Sequence, residues 1–182
     1  NDAPDLDDPA RLTAVLRAVR QLQRDGKVLA YHDRSDGGLF AAVCEMAFAG
    51  RCGVTLNIDV LAMDPVASDW GDFKIRPEQV SVRRSEQTLR ALFNEELGLL
   101  LQVRKADQSA VMNVLRAEGL GAVSHTVGKP NDRDVIEIWR DAKAIFARPR
   151  AELQQAWSEV SWRIARLRDN PQCADQEYER VS

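Results

Sequence analysis

Asp33, Ser35, Asp36, Gly37 and Gly38 lie together in the string YHDRSDGGL, between an apolar run at 28–31 and an apolar stretch that starts at Leu39. The two aspartates offer hard oxygen ligands of the kind magnesium takes when it bridges carboxylates and phosphates. Glycines carry no Cβ, so they let the backbone approach a bulky ligand or take positive φ, and a helix starting after them points free N–H groups at the same place. Together these residue types make a site for a magnesium nucleotide. On pattern alone a plainer reading stays open, in which Asp36 caps the helix, the glycines turn the chain and Asp33 is a solvated acid.

Such a site needs a strand to deliver Asp33 and a helix to follow the glycines. The run 28–31 reads as a buried strand ending at His32 or Asp33, and 39–49 as a helix apolar nearly all round, stopped by Gly50. A strand end of this kind places Asp33 in the crevice where open α/β folds bind ligands. Ahead of it, Asp7, Asp8 and Pro9, followed by Leu12, Val15, Leu16, Val19 and Leu22 and then Gly26, predict a helix over 9–25. Val54, Leu56, Ile58 and Val60 alternate with polar residues and predict a strand with one wet face. Residues 62–84 mix Pro65, Gly71 and Pro77 with charges and read as a long loop or insertion.

Further on, Ser85 is placed to cap a helix to about Leu92, 98–103 reads as a buried strand, and Asp107 precedes a helix that Gly119 ends. Short strands are expected at 123–127, 135–139 and 144–147, with the turn signal GKPNDRD between the first two. A last helix after Pro149 aligns Leu153, Trp157, Val160, Ile164 and Leu167 on one stripe, and the polar tail from Asp169 reads as extended. Helices interleaved with strands, finishing in an antiparallel group, give an α/β (α+β) fold with a mixed β-sheet layered against helices.

With 182 residues, 45% hydrophobic and 29% charged, the chain can bury a core without stapling. Cys44, Cys52 and Cys173 form no C-x-x-C pair, which fits free thiols in a reducing cytoplasm. A formal charge of -3 and a pI near 5.5 argue against a nucleic-acid partner, and no apolar run is long enough for a membrane span. The acidic, polar opening is the opposite of a targeting segment, and because the first residue is Asn1 and not methionine, an excised or processed piece of a longer chain is expected.

Three strings carry a family resemblance: AYHDRSDGGLFAAVCEMAFAGRCGV, LFNEELG at 92–98, and RLRDNPQCADQE at 166–177. In this order they resemble the large-type phosphoribosylformylglycinamidine synthases of the aminoimidazole ribonucleotide synthetase superfamily, over most of the chain except 62–84. The resemblance implies a synthetase-like C-terminal domain at 1–168, from the second of two repeats, with 169–182 as a linker toward a glutaminase domain. It implies a ligase of purine biosynthesis that uses ATP to activate an amide oxygen and glutamine-derived ammonia to displace phosphate. By the same resemblance Asp33 is a magnesium ligand and Ser35 a nucleotide contact at a structural magnesium ADP site, while Asp36, Gly37 and Gly38 are added to the nucleotide site from the backbone argument above. No catalytic residue is assigned to this piece, and the remaining synthetase and glutaminase domains are its expected partners. Other readings are a C-terminal domain related to selenophosphate synthetase or thiamine monophosphate kinase, or a non-catalytic nucleotide-binding or assembly module.

Asn94, Glu95 and Glu96, at a helix-to-strand junction, read as a solvated helix end and stay outside the site. His32 reads as a packed neighbour of Asp33, and His125 has no evident partner. Trp157 and Trp162 read as core and interface anchors, with some apolar surface exposed where partner domains are missing.

Overall fold

The computed structural model describes Leu6, residues 8–63 and residues 77–181. It divides into two compact units that interleave along the chain. One takes the described residues of Asn1–Ala42 and Lys74–Thr126, the other those of Val43–Phe73 and Val127–Ser182.

The first unit begins with helix α1 (Pro9–Arg24), whose Asp8 carboxylate accepts from the Ala10 N–H at 2.9 Å while Pro9 fills the first turn. Its buried residues are Ala14, Ala18 and Leu22. Ala14 and Ala18 pack with Leu120, and Val15, Val114 and Leu115 close round them. The stripe is shifted from the one the leucine spacing suggests: Leu12 and Leu16 are exposed, because small alanines let the helix approach its neighbour closely.

Strand β1 (Val28–Arg34) runs three residues beyond the predicted apolar run, and β3 (Gly98–Val103) matches its expected bounds. They pair antiparallel, Asp33 opposite Leu99 and Arg34 opposite Gly98, so the pairing itself extends β1 through polar residues. Helix α3 (Pro77–Phe93) starts well before Ser85, so 77–84, read as loop, is helical and Ser85 lies inside. The remainder of the stretch read as an insertion, 64–76, lies outside the described residues.

Helix α4 (Gln108–Ala117) follows a short helical turn, and Asp107 makes no side-chain cap. Its carboxylate instead meets Lys27 Nζ at 3.0 Å. Gly119, at φ +76°, ends the helix as expected. The strand expected at 123–127 does not form: Gly121–Val123 is a helical turn, and the next strand lies later.

Helix α2 (Gly38–Gly50) is buried through Leu39, Ala42, Val43, Cys44, Ala47 and Phe48, and its residues are shared between the two units. The second unit is built on a four-stranded sheet in the order β4-β2-β5-β6, with β2 (Gly53–Asn57), β4 (Gly128–Asn131), β5 (Val135–Arg140) and β6 (Lys143–Pro149). β2 pairs parallel with β5 and antiparallel with β4, and β6 is antiparallel to β5. The mixed α/β architecture is as expected, with the described strands divided between this sheet and the β1-β3 pair.

The β2 strand stops short of Ile58 and Val60, where the Asn57 side chain accepts from the Asp59 N–H at 2.8 Å and turns the chain. Ile58 is fully buried all the same, with Ile136, Ile138 and Leu56. Strand β4 occupies the string read as a turn. Helix α5 (Arg150–Arg168) is as expected, and the tail is not extended: Asn170 caps helix α6 (Pro171–Glu179) by accepting from Gln172 and Cys173 N–H groups. α6 is held to α5 by a Trp162–Tyr178 ring stack at 4.4 Å and by Asp175, which accepts from Trp162 and from Arg166. Cys44, Cys52 and Cys173 are free thiols, and no helix among the described residues is long and apolar enough to cross a membrane.

Candidate functional site

The segment 33–38 folds as a strand end, a tight turn and a helix start. Pairing with β3 carries β1 out to Arg34. Ser35 then closes the turn, its carbonyl accepting from the Gly38 N–H at 2.8 Å. Gly37 and Gly38 both take positive φ, 78° and 65°, which an L side chain adopts only with strain. Gly38 has a second reason to be glycine: a Cβ there would stand 2.8 Å from the Leu92 carbonyl oxygen and from Phe93 Cα. The turn is thus seated on the C-terminal end of α3, and Phe40 packs on Phe93 with ring centroids 5.6 Å apart.

Asp33, Ser35 and Asp36 all face solvent on this turn, and the Asp33 side chain is 70% exposed. His32 Nδ1 lies 2.6 Å from the Asp33 carbonyl oxygen and 3.7 Å from its carboxylate, so the ring sits against Asp33 as a neighbour. The Gly37 N–H donates to Glu95 Oε1 at 2.8 Å. An acid read as a solvated helix end therefore binds the glycine turn directly, and an anion arriving at that amide would have to displace it. Arg34 fixes the same junction from the other side, donating to the Glu96 carbonyl at 2.7 Å and the Leu97 carbonyl at 3.3 Å. Burial lowers the Arg34 pKa, an effect that the neighbouring Glu96 opposes. Asn94 turns the chain between them, its side chain accepting from the Glu96 N–H. The signal for this contact was the pair of acids placed after a helix end, whose partner across the chain the spacing could not name.

Among the described residues no three or more His, Cys, Asp and Glu side chains gather in a metal-binding group. At most two carboxylates of this turn, Asp33 and Asp36, could then face one magnesium ion, a number that suits magnesium when phosphates and water fill its remaining positions. The fit is to a metal that arrives with a phosphorylated ligand, and a protein-only cage is not formed by these residues.

A concave region lies on the four-stranded sheet, a groove of about 640 Å³ that includes Thr55, Lys129, Asn131, Arg133, Glu137 and Trp139 in its lining. At its floor Glu137 is buried, accepting from Arg133 at 2.5 Å, Trp139 Nε1 at 3.3 Å and Thr55 at 3.5 Å. Desolvation pushes the Glu137 carboxyl up, but the Trp139 and Arg133 hydrogen bonds outweigh it and leave the group below its ordinary range. Asn131 bridges Thr55 and the Val135 carbonyl, so these polar groups satisfy one another.

Among solved structures, the fold is similar to Thermotoga maritima PurL complexed with ATP, with a TM-score of 0.58 and 15% identity over 80% of this chain and 22% of that one. It is similar also to phosphoribosylformylglycinamidine synthase II from Thermotoga maritima, with a TM-score of 0.56 and 15% identity over 80% of this chain and 22% of that one. A third likeness is to E. coli HypE, a hydrogenase maturation protein, with a TM-score of 0.53 and 20% identity over 74% of this chain and 39% of that one. The chain thus spans about a fifth of the length of the PurL chains it matches. The family model for the C-terminal domain of AIR synthase related proteins matches residues 1–140, and it is to this family that the chain belongs.

Proposed function

We propose that this chain is part of a phosphoribosylformylglycinamidine synthase, an ATP- and glutamine-dependent ligase of purine biosynthesis, and that it forms one wall of a structural magnesium ADP site. The observation that carries the reading is the turn 33–38. It presents Asp33 and Ser35 to solvent at the end of β1, immediately before the helix start at Gly38. The PurL structures that share this fold were solved with nucleotides, ATP and ADP among them, which supports a nucleotide as the ligand class. Asp33 would hold the metal through one carboxylate oxygen and Ser35 would hydrogen-bond the nucleotide. Asp36, Gly37 and Gly38 would line its phosphate side, with Glu95 giving up the Gly37 amide on binding. Magnesium bound there would neutralise phosphate charge, and the chain's own contribution is to orient and hold the ligand.

Under this reading 1–168 act as the synthetase-like C-terminal domain, and 169–182 lead toward a glutaminase domain of the same cytoplasmic polypeptide. The isolated chain would not turn over substrate, since no catalytic group is assigned to it. Calorimetric titration with ADP and magnesium tests the site. Saturable binding that Asp33→Ala weakens is the expected result. Binding by the native chain that Asp33→Ala leaves unchanged would remove Asp33 from the site. Absence of binding both by this chain and by a longer polypeptide containing it would remove the site altogether.

A further inference from the structure

Helix α5 carries an apolar seam that the second unit does not bury. Trp157, Val160, Ile164 and Leu167 are between 55% and 90% exposed, and they recur at alternating spacings of three and four residues. That is the a/d spacing of a helix that pairs with another helix. The seam lies beyond the residues matched by the family model. It is anchored at one end, where Trp157 packs on Phe48 at 5.8 Å and donates to Glu45 at 3.1 Å. The tail helix α6 engages α5 through other residues, Trp162 and Arg166, and leaves the seam open.

Charge decides what the seam accepts. With Trp157 at position a, the charged flanking positions are Arg163 at g and Arg168 at e, whose side chains are 69% and 74% exposed, while the other two, Ala156 at g and Ser161 at e, are neutral. A second copy of this helix is a poor match in either direction. Parallel pairing sets Arg163 against Arg168 of the other copy, and antiparallel pairing sets each arginine near its own equivalent. Each guanidinium meets one local acid, Glu159 for Arg163 and Asp169 for Arg168, and its five donors leave capacity for a second carboxylate. We infer that the α5 seam docks a helix from outside these 182 residues, with an apolar a/d stripe flanked by glutamate or aspartate.

Two synthetic amphipathic helices test this. They share the same leucine seam, with glutamate at the flanking e and g positions in one and lysine in the other, and each is titrated as a labelled peptide into the chain by fluorescence anisotropy. The glutamate helix is expected to bind, the lysine helix about tenfold more weakly, and Leu167→Asp to abolish binding of the first. Leu167 is the most exposed seam residue, so that variant keeps its fold, and circular dichroism checks it. Equal binding of the two helices, or no binding of either, overturns the inference. So does a native chain that sediments as a dimer and becomes monomeric with Leu167→Asp, since the occupant would then be a second copy.

Discussion

Replacing Gly38 by alanine adds one methyl group at a place where two costs can be separated. The first is conformational: Gly38 sits at φ +65°, where an L residue loses about 1–2 kcal/mol. The second is steric, because the new Cβ would lie 2.8 Å from the Leu92 carbonyl oxygen and two Phe93 backbone atoms. Backbone cannot rotate away as a side chain can, so about 1–3 kcal/mol of overpacking is added. Gly26 and Gly119 have similar φ values, 62° and 76°, and a Cβ at either would meet nothing within 4 Å, so alanine there carries the first cost alone. The assay is thermal and urea unfolding of Gly38→Ala beside Gly26→Ala and Gly119→Ala. A total of about 3.5 kcal/mol lowers the melting temperature by about 7–14 °C in a chain of this size, against about 3–6 °C for the two controls at about 1.5 kcal/mol. If Gly38→Ala melts with the controls yet loses ADP binding, the glycine serves ligand approach rather than the seat on α3, and the packing argument fails.

Three further outcomes follow from other contacts. The hydrogen bond from Lys27, with the charges of Lys27 and Arg104, holds the Asp107 carboxyl below its ordinary range. Its stabilisation is present above the unfolded carboxylate value and is lost as pH falls through the depressed folded value, so Asp107→Asn should melt below the native chain at neutral pH and converge with it below about pH 4. Arg150 is buried and makes two hydrogen bonds to Asp134, at 2.6 and 3.0 Å, besides one to Gln154. Asp134→Asn keeps a residue type tolerant of φ +52° but leaves that guanidinium short of its counter-charge, and should cost about 1–3 kcal/mol in urea unfolding. Burial, with Glu45 adding to it, pushes the Cys44 thiol up to about 12, so a thiol reagent near pH 8 should label exposed Cys173 readily and Cys44 only after unfolding.

The elements that could be read from the sequence are those whose local signals agree with their packing. Helix α1 announced itself through Asp8, Pro9 and Gly26, while β3, β5 and α5 did so through periodicity and their bounding residues. Strand β4 could not be read that way, because GKPN has turn composition and becomes a strand only by pairing along β2. Pro130 is tolerated because β4 is an edge strand. Helix α6 left a readable signal that its polar composition concealed: Asn170 followed by Pro171 is a cap and a first turn. At the candidate site the strand, turn and helix around Asp33, Gly37 and Gly38 were legible. Glu95 and Arg34 were not, since their partners lie about 60 residues away and only the β1-β3 register brings them together.

The parallel pairing of β2 with β5 has a consequence for synthesis of the chain. Val54, Leu56 and the fully buried Ile58 emerge from the ribosome about 80 residues before Ile136 and Ile138, an interval of about 4–16 s at ordinary elongation rates. Meanwhile the chain between them supplies α3, β3 and α4, elements of the first unit, to which β1 was already contributed. The first unit can therefore close while the second still lacks its central strand, and β2 spends that time as an apolar segment without its main partner. Chaperone capture during translation should concentrate on nascent chains that have passed Ile58 and have not yet released β5.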